Sequence, residues 1–172
     1  MKETTVLLIV AWLIPFLVHL LPWSGERPLG AHLLPMFWVA FVAVYLHGLR
    51  IGLLVGLFAP VLHLMLTGLP ALRLLSLLGF ELIVFSALVW WIVRRALRFW
   101  CIAPICYVAA KTASSLLQYA MAPFGEGWAP VAFFMESLRN GLPGLGLLTA
   151  INLALVFFYP KSPEGKHDGS TG

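Results

Sequence analysis

Charged residues are scarce in this chain: Asp, Glu, Lys and Arg make up 10% of its 172 residues, whereas hydrophobic residues make up 61%. A soluble domain carries about 25% charged residues, so the composition excludes an ordinary soluble fold. Segments of alternating polarity about ten residues long, the pattern of a membrane barrel, are also lacking. What the chain has instead is a succession of apolar runs, each long enough to cross a roughly 30 Å hydrocarbon core as a helix. We therefore predict an all-α integral membrane protein.

The sequence also lacks the residue patterns of catalysis and cofactor binding. The two cysteines, Cys101 and Cys106, are five residues apart, which places them on different faces of one helix and matches no metal or redox spacing. No nucleophile elbow, no histidine-glutamate metal motif and no lysine-bearing phosphate loop is present. We expect no enzymatic activity, no cofactor and no metal, and any ATP-driven step requires a partner chain. The basic residues behind the net charge of +4 lie at helix ends, which favours a topology signal over nucleic-acid binding.

Six transmembrane helices are predicted, and together they form a single domain over residues 1–160. The polar residues 161–172 are predicted to be a disordered cytoplasmic tail. The sixth span is predicted to be interrupted over residues 140–146, where glycines flank a proline. The predicted spans cover residues 4–21, 32–46, 72–93, 101–121 and 131–159, and a predicted turn over residues 47–50 leads into the third, glycine-striped span within residues 48–70.

The basic residues predict the orientation of the spans. Seven lie at one face of this topology and two, Arg27 and Arg73, lie at the other. Cytoplasmic loops carry the excess of Lys and Arg, so the first face is predicted to be cytoplasmic. Both termini lie at this face, and the chain is predicted to be a multi-pass protein of the cell membrane. The seven are Lys2, Arg50, Arg94, Arg95, Arg98, Lys161 and Lys166.

A stripe of glycines marks the third predicted span. Gly48, Gly52 and Gly56 recur every four residues, so on a helix they share one face that another helix can approach closely. Pro60 adds a kink farther along the same span. We expect this stripe to be a docking groove for a partner.

Polar residues inside the predicted spans are expensive unless they face a partner or a cavity. Glu81 and Lys111 each lie about ten residues from the outer end of their span, so we expect them to pair at similar depth. A structural ion pair and a substrate contact are both compatible with this placement. The full set comprises Glu81, Lys111, Gln118, Glu136, Arg139, Asn140 and Asn152.

Several short motifs occur in an order that resembles the substrate-binding S component of energy-coupling-factor (ECF) transporters, the vitamin-importer class. The resemblance covers residues 11–158. Two departures from the family pattern leave the substrate open: Phe37 replaces a histidine, and Ser86 and Trp90 replace glycines. The motifs are Pro15-Phe16-Leu17-Val18-His19, Leu34-Pro35-Met36-Phe37, Leu66-Thr67-Gly68-Leu69-Pro70, Phe80-Glu81-Leu82 and Gly141-Leu142-Pro143-Gly144.

The resemblance implies a six-helix protein that captures a vitamin-like small molecule from outside and joins a T component and two ATPase subunits. The expected polar contacts are Glu81, Lys111, Arg139 and Asn140. The expected apolar lids are Trp23, Phe37 and Trp128, because an apolar wall with a few convergent polar groups suits a small-molecule site.

One alternative is a small membrane scaffold or assembly subunit that holds a partner protein in the glycine groove and binds no solute. Genes for a T component and ATPases beside this one would favour the transporter.

Overall fold

The computed structural model describes residues 13, 17, 33–67, 72–95, 99–121 and 129–160. Within these residues the protein is all-helical, with five helices and no strand, which confirms the predicted all-α class. The first predicted span, over residues 4–21, lies outside the described residues except for two helical positions, and so does the tail over residues 161–172. The helices are α1 (Pro35–His47), α2 (Leu49–Thr67), α3 (Leu72–Arg94), α4 (Ile102–Met121) and α5 (Pro130–Phe158).

Two of the described helices are long and apolar enough to cross a membrane. They are the stretch Leu74–Arg94 of α3 and the whole of α5, Pro130–Phe158. Two shorter apolar helical stretches, Pro35–His47 and Leu49–Phe58, do not reach the length of a span. The described residues are therefore compatible with a membrane protein, while six crossings and their orientation stay predictions.

The sequence predicts an interruption of the last span over residues 140–146, and this prediction is wrong. Helix α5 is continuous through Pro143. The proline removes the N–H that would bond to the Arg139 carbonyl, so one helical hydrogen bond is lost. Gly141 and Gly144 are buried, and a helix that keeps its remaining backbone bonds is favoured over an open chain in apolar surroundings.

Helix α1 lies at the centre of the described bundle, where it contacts each of the other four described helices. Nine of its 13 residues are buried, and the less buried residues Trp38, Val42 and Leu46 share one stripe of the helix. Its length is about 20 Å, which is shorter than a hydrocarbon core of about 30 Å. The span predicted at residues 32–46 is therefore a short central helix.

The glycine stripe differs from its prediction at one end. Gly48 lies between α1 and α2 with a φ of 85°, so it is a turn residue and does not share the helical face. Gly52 and Gly56 do permit close packing, but the neighbours belong to the same chain. Gly52 faces Val44 of α1, and Gly56 lies against Leu82 of α3.

Side-chain hydrogen bonds fix the two ends of the α4–α5 pair. Near the end of α5, Asn152 Oδ1 accepts the Ala103 N–H at 3.2 Å, and Asn152 Nδ2 donates to the carbonyls of Phe99 at 3.2 Å and Trp100 at 2.7 Å. At the other end, the Ser115 hydroxyl donates to the Pro130 carbonyl at 2.8 Å. The two helices are therefore antiparallel, and Asn152 caps the start of α4.

Candidate functional site

A buried ion pair joins α3 to α4. The Nζ atom of Lys111 lies 2.6 Å from Oε2 of Glu81, and the two residues are only 8% and 1% exposed. The sequence predicts this pairing from the similar depth of the two residues, and the structure confirms it. Charges this deeply buried are stable only when they are paired and hydrogen-bonded, because their desolvation costs several kcal/mol, on the order of the attraction between them.

Ser114 donates a second hydrogen bond to the Glu81 carboxylate. Its hydroxyl lies 2.7 Å from Oε1 of Glu81 and 3.1 Å from the Lys111 carbonyl. A hydroxyl has one proton and can donate it to only one of the two acceptors. The carboxylate is the closer acceptor and is charged, so we assign the Ser114 hydrogen bond to Glu81. Both oxygens of Glu81 therefore accept a hydrogen bond.

Aromatic rings from three helices surround the Lys111 ammonium. The Nζ atom lies 5.8 Å from the ring centre of Phe37 on α1, 5.7 Å from that of Tyr107 on α4 and 5.5 Å from that of Phe133 on α5. At such distances the ring quadrupoles attract a cation. Phe37 and Tyr107 pack edge to face with ring centres 4.9 Å apart. The ion pair thus lies where α1, α3, α4 and α5 meet.

Helix α4 presents a buried polar stripe to this cluster. Tyr107, Lys111, Ser114 and Gln118 are spaced i, i+4, i+7 and i+11, so they share one face, and all four are buried. Within the described residues, the Tyr107 hydroxyl and the Gln118 Nε2 have no hydrogen-bond partner, nor does the hydroxyl of Ser86. A buried polar group without a partner costs about 1–3 kcal/mol, so the stripe has unmet capacity to bind polar atoms.

The structure brings together three of the predicted site residues, Glu81, Lys111 and Phe37. Phe37 is a core residue that packs against the ion pair, and its predicted role as a lid stays a prediction. On α5, Arg139 is exposed and Asn140 is partly buried. Trp23 and Trp128, the other predicted lids, lie outside the described residues.

Sequence reasoning missed Phe133 on α5, and it missed two polar residues beside the ion pair on α4, Tyr107 and Ser114. Both are neutral, so a search for charges inside predicted spans passes over them. The signal was their spacing from Lys111, four residues before and three after, which places them on the same helical face. Within the residues that the structure describes, no group of three or more His, Cys, Asp or Glu side chains is arranged to hold a metal ion.

The arrangement can hold charge and bind polar atoms. The ammonium of Lys111 has three donors, of which Glu81 takes one among the described contacts. Comparison of the chain with protein-family models, with curated proteins and with solved structures finds no match.

Proposed function

We propose that this protein is the substrate-binding S component of an ECF-type importer. In this role it captures a vitamin-like or related small molecule from outside, and a T component and two ATPase subunits drive uptake. The proposal includes six membrane crossings, an outward-facing site and cytoplasmic termini. It requires no chemistry from the chain itself, only a site that binds and releases a solute.

The observation that carries the proposal is the buried cluster of Glu81, Lys111 and Ser114. It lies between two helices, α3 and α4, at about the middle of each, with aromatic rings around the ammonium. Ionisable residues inside membrane-spanning segments are rare and mark substrate or ion pathways by default. Apolar walls with a few convergent polar groups are the usual composition of a small-molecule site.

The neighbouring polar groups strengthen the proposal. Tyr107 and Gln118 flank the ion pair on α4, and each has a buried atom without a partner among the described residues. A solute that supplied hydrogen-bond partners to these atoms would offset the desolvation cost that they carry in the free protein.

The second candidate is a membrane scaffold that binds a partner protein and no solute. One observation favours it: Glu81 and Lys111 satisfy each other, as a purely structural ion pair does. The groove that the scaffold was expected to use is less favourable, because Gly52 and Gly56 contact helices of the same chain. A scaffold would therefore need a different docking surface, and so would the T component.

The experiment combines ligand detection with a variant that removes both charges. Native mass spectrometry of the protein released gently from its membrane detects any co-purified small molecule, and thermal unfolding with a panel of vitamins and precursors detects added ones. The variant Glu81→Gln/Lys111→Met removes the ion pair without leaving a lone charge. Thr112→Val is the matched control, because the exposed Thr112 hydroxyl bonds only within its helix, to the Val108 carbonyl at 2.9 Å.

We expect a bound molecule, or a ligand-induced rise in the unfolding temperature, for the wild type and for Thr112→Val. We expect its loss from a Glu81→Gln/Lys111→Met protein that still unfolds cooperatively. Retention of the ligand by the double variant would place the site elsewhere. A wild type that carries no small molecule and responds to none would reject the transporter and favour the scaffold.

A further inference from the structure

Basic and aromatic residues are concentrated in the sequence where α3 ends and α4 begins, and they take no part in the candidate site. The two helices are joined here by a short connection, and Asn152 of α5 holds the carbonyls of Phe99 and Trp100. We name this group of residues the Arg94 corner. It comprises Trp90, Trp91, Arg94, Arg95, Phe99 and Trp100.

Both arginines of the Arg94 corner lie over indole rings. The Cζ atom of Arg94 is 5.2 Å from the ring centre of Trp90, and that of Arg95 is 3.8 Å from the ring centre of Trp91. A cation–π contact engages the charge of the guanidinium group and requires none of its N–H groups as a hydrogen-bond donor. Because the rings hold the guanidinium groups in place, less side-chain entropy is lost when those donors bind an anion.

The positive charge of the Arg94 corner has no acidic neighbour among the described residues. Only two carboxylate side chains, Glu81 and Glu136, belong to that part of the chain. Glu81 is bound to Lys111. Glu136 lies near the start of α5, whereas the corner lies beside Asn152, near the end of the same helix. Both arginines are exposed, so their charge is available to an external anion.

The position of the Arg94 corner along α3 indicates which anion it meets. The apolar stretch Leu74–Arg94, one of the two candidate membrane spans, ends at the corner. Two tryptophans of the Arg94 corner are exposed: Trp91 is 47% exposed and Trp100 is 62% exposed. Exposed Trp at the end of an apolar span is typical of the membrane–water interface, where phospholipid phosphates lie.

We propose that the Arg94 corner binds the headgroup of an anionic phospholipid. The guanidinium edges pair with the headgroup phosphate, and Trp91, Phe99 and Trp100 contact the boundary between headgroups and acyl chains. This site is independent of the proposed solute site, so neither the success nor the failure of one bears on the other.

The test is a competition between two lipids of opposite headgroup character. The full-length protein in detergent micelles receives equal amounts of phosphatidylglycerol and phosphatidylcholine with the same acyl chains, and native mass spectrometry counts the lipids retained. The variants are Arg95→Gln and Arg94→Gln/Arg95→Gln. Arg139→Gln is the matched control, because it removes one exposed arginine from α5. Thermal unfolding of each variant checks that the fold is retained.

We expect the wild type and Arg139→Gln to retain phosphatidylglycerol in preference to phosphatidylcholine. Each arginine near an anionic surface contributes a factor of about five to binding. Arg95→Gln should therefore lower the preference about five-fold, and the double variant about 25-fold. Equal retention of the two lipids by the wild type would overturn the proposal. An unchanged preference in the double variant, or a loss in Arg139→Gln as large as that in Arg95→Gln, would overturn it as well.

Discussion

Removing one partner of the buried ion pair should destabilise the protein far more than removing both. Lys111→Met preserves most of the side-chain volume and deletes the ammonium, which leaves the 1%-exposed Glu81 with the Ser114 hydroxyl as its hydrogen-bond donor. Breaking a buried pair in this way costs about 3–5 kcal/mol. For a chain of 172 residues, each kcal/mol lowers the unfolding temperature by about 2–4 °C. We therefore expect a fall of about 6–20 °C.

The double variant Glu81→Gln/Lys111→Met should unfold close to the wild type. Replacing a whole buried pair with uncharged residues of similar volume is often neutral or stabilising, because two desolvation costs disappear together with one attraction. The Gln side chain can still accept the Ser114 hydrogen bond. The two single variants and the double variant form a double-mutant cycle, and the expected coupling energy is at least about 3 kcal/mol.

The measurement is thermal unfolding of the four proteins in one detergent, with Thr112→Val as the control on α4. Additive effects, with the double variant as unstable as the sum of the singles, would refute the reasoning. So would a Lys111→Met protein within about 1 kcal/mol of the wild type, because an exposed or mobile ion pair has that energy.

Three further predictions concern packing and capping, and all are read as changes in the unfolding temperature. Gly141→Ala should cost about 1–3 kcal/mol because its Cβ would lie 2.9 Å from the Tyr107 hydroxyl oxygen. Adding Tyr107→Phe should restore stability, and no rescue would contradict this explanation. Gly52→Ala should destabilise the protein by a similar amount, because its Cβ would meet Val44 of α1. Gly79→Ala would meet only an ordinary contact at 3.8 Å, so it should be neutral or slightly stabilising. Equal effects of the two variants would refute the packing argument. Asn152→Ala should cost about 1–3 kcal/mol by leaving polar groups at the start of α4 without partners, and an unchanged unfolding temperature would contradict its role as a cap.

Helix positions were predictable from the sequence where apolar runs end at proline or arginine. The predicted span 72–93 corresponds to Leu72–Arg94, and the predicted span 101–121 corresponds to Ile102–Met121. The break expected around Pro143 is absent, because one lost hydrogen bond does not end a helix whose neighbours pack closely against its glycines. Proline and glycine in a sequence indicate a local preference for a helix break, but they do not show the tertiary packing that opposes it.

The ion pair of the candidate site could be predicted, because the positions of charged residues within the predicted spans indicate their depth. Glu81 and Lys111 pair as their distances from the span ends indicate. The aromatic rings around the ammonium could not be predicted. Phe37 and Phe133 are far apart in sequence, and they come together only through the central position of α1. The turn predicted over residues 47–50 does contain Gly48, but the four-residue spacing also counted Gly48 in the helical stripe, and this part is wrong because α2 begins only at Leu49.

The central position of helix α1 has a consequence for biogenesis. Synthesis proceeds from the N-terminus, so α1 leaves the ribosome before any of the four helices that enclose it. A helix of about 20 Å is too short to span the bilayer alone. The turn at Gly48 joins it directly to α2, and Gly52 lets these two helices pack closely. On the proposal that the chain is a multi-pass membrane protein, we expect α1 to enter the membrane as one half of a hairpin with α2, and to reach its buried position only when α3, α4 and α5 have been inserted around it.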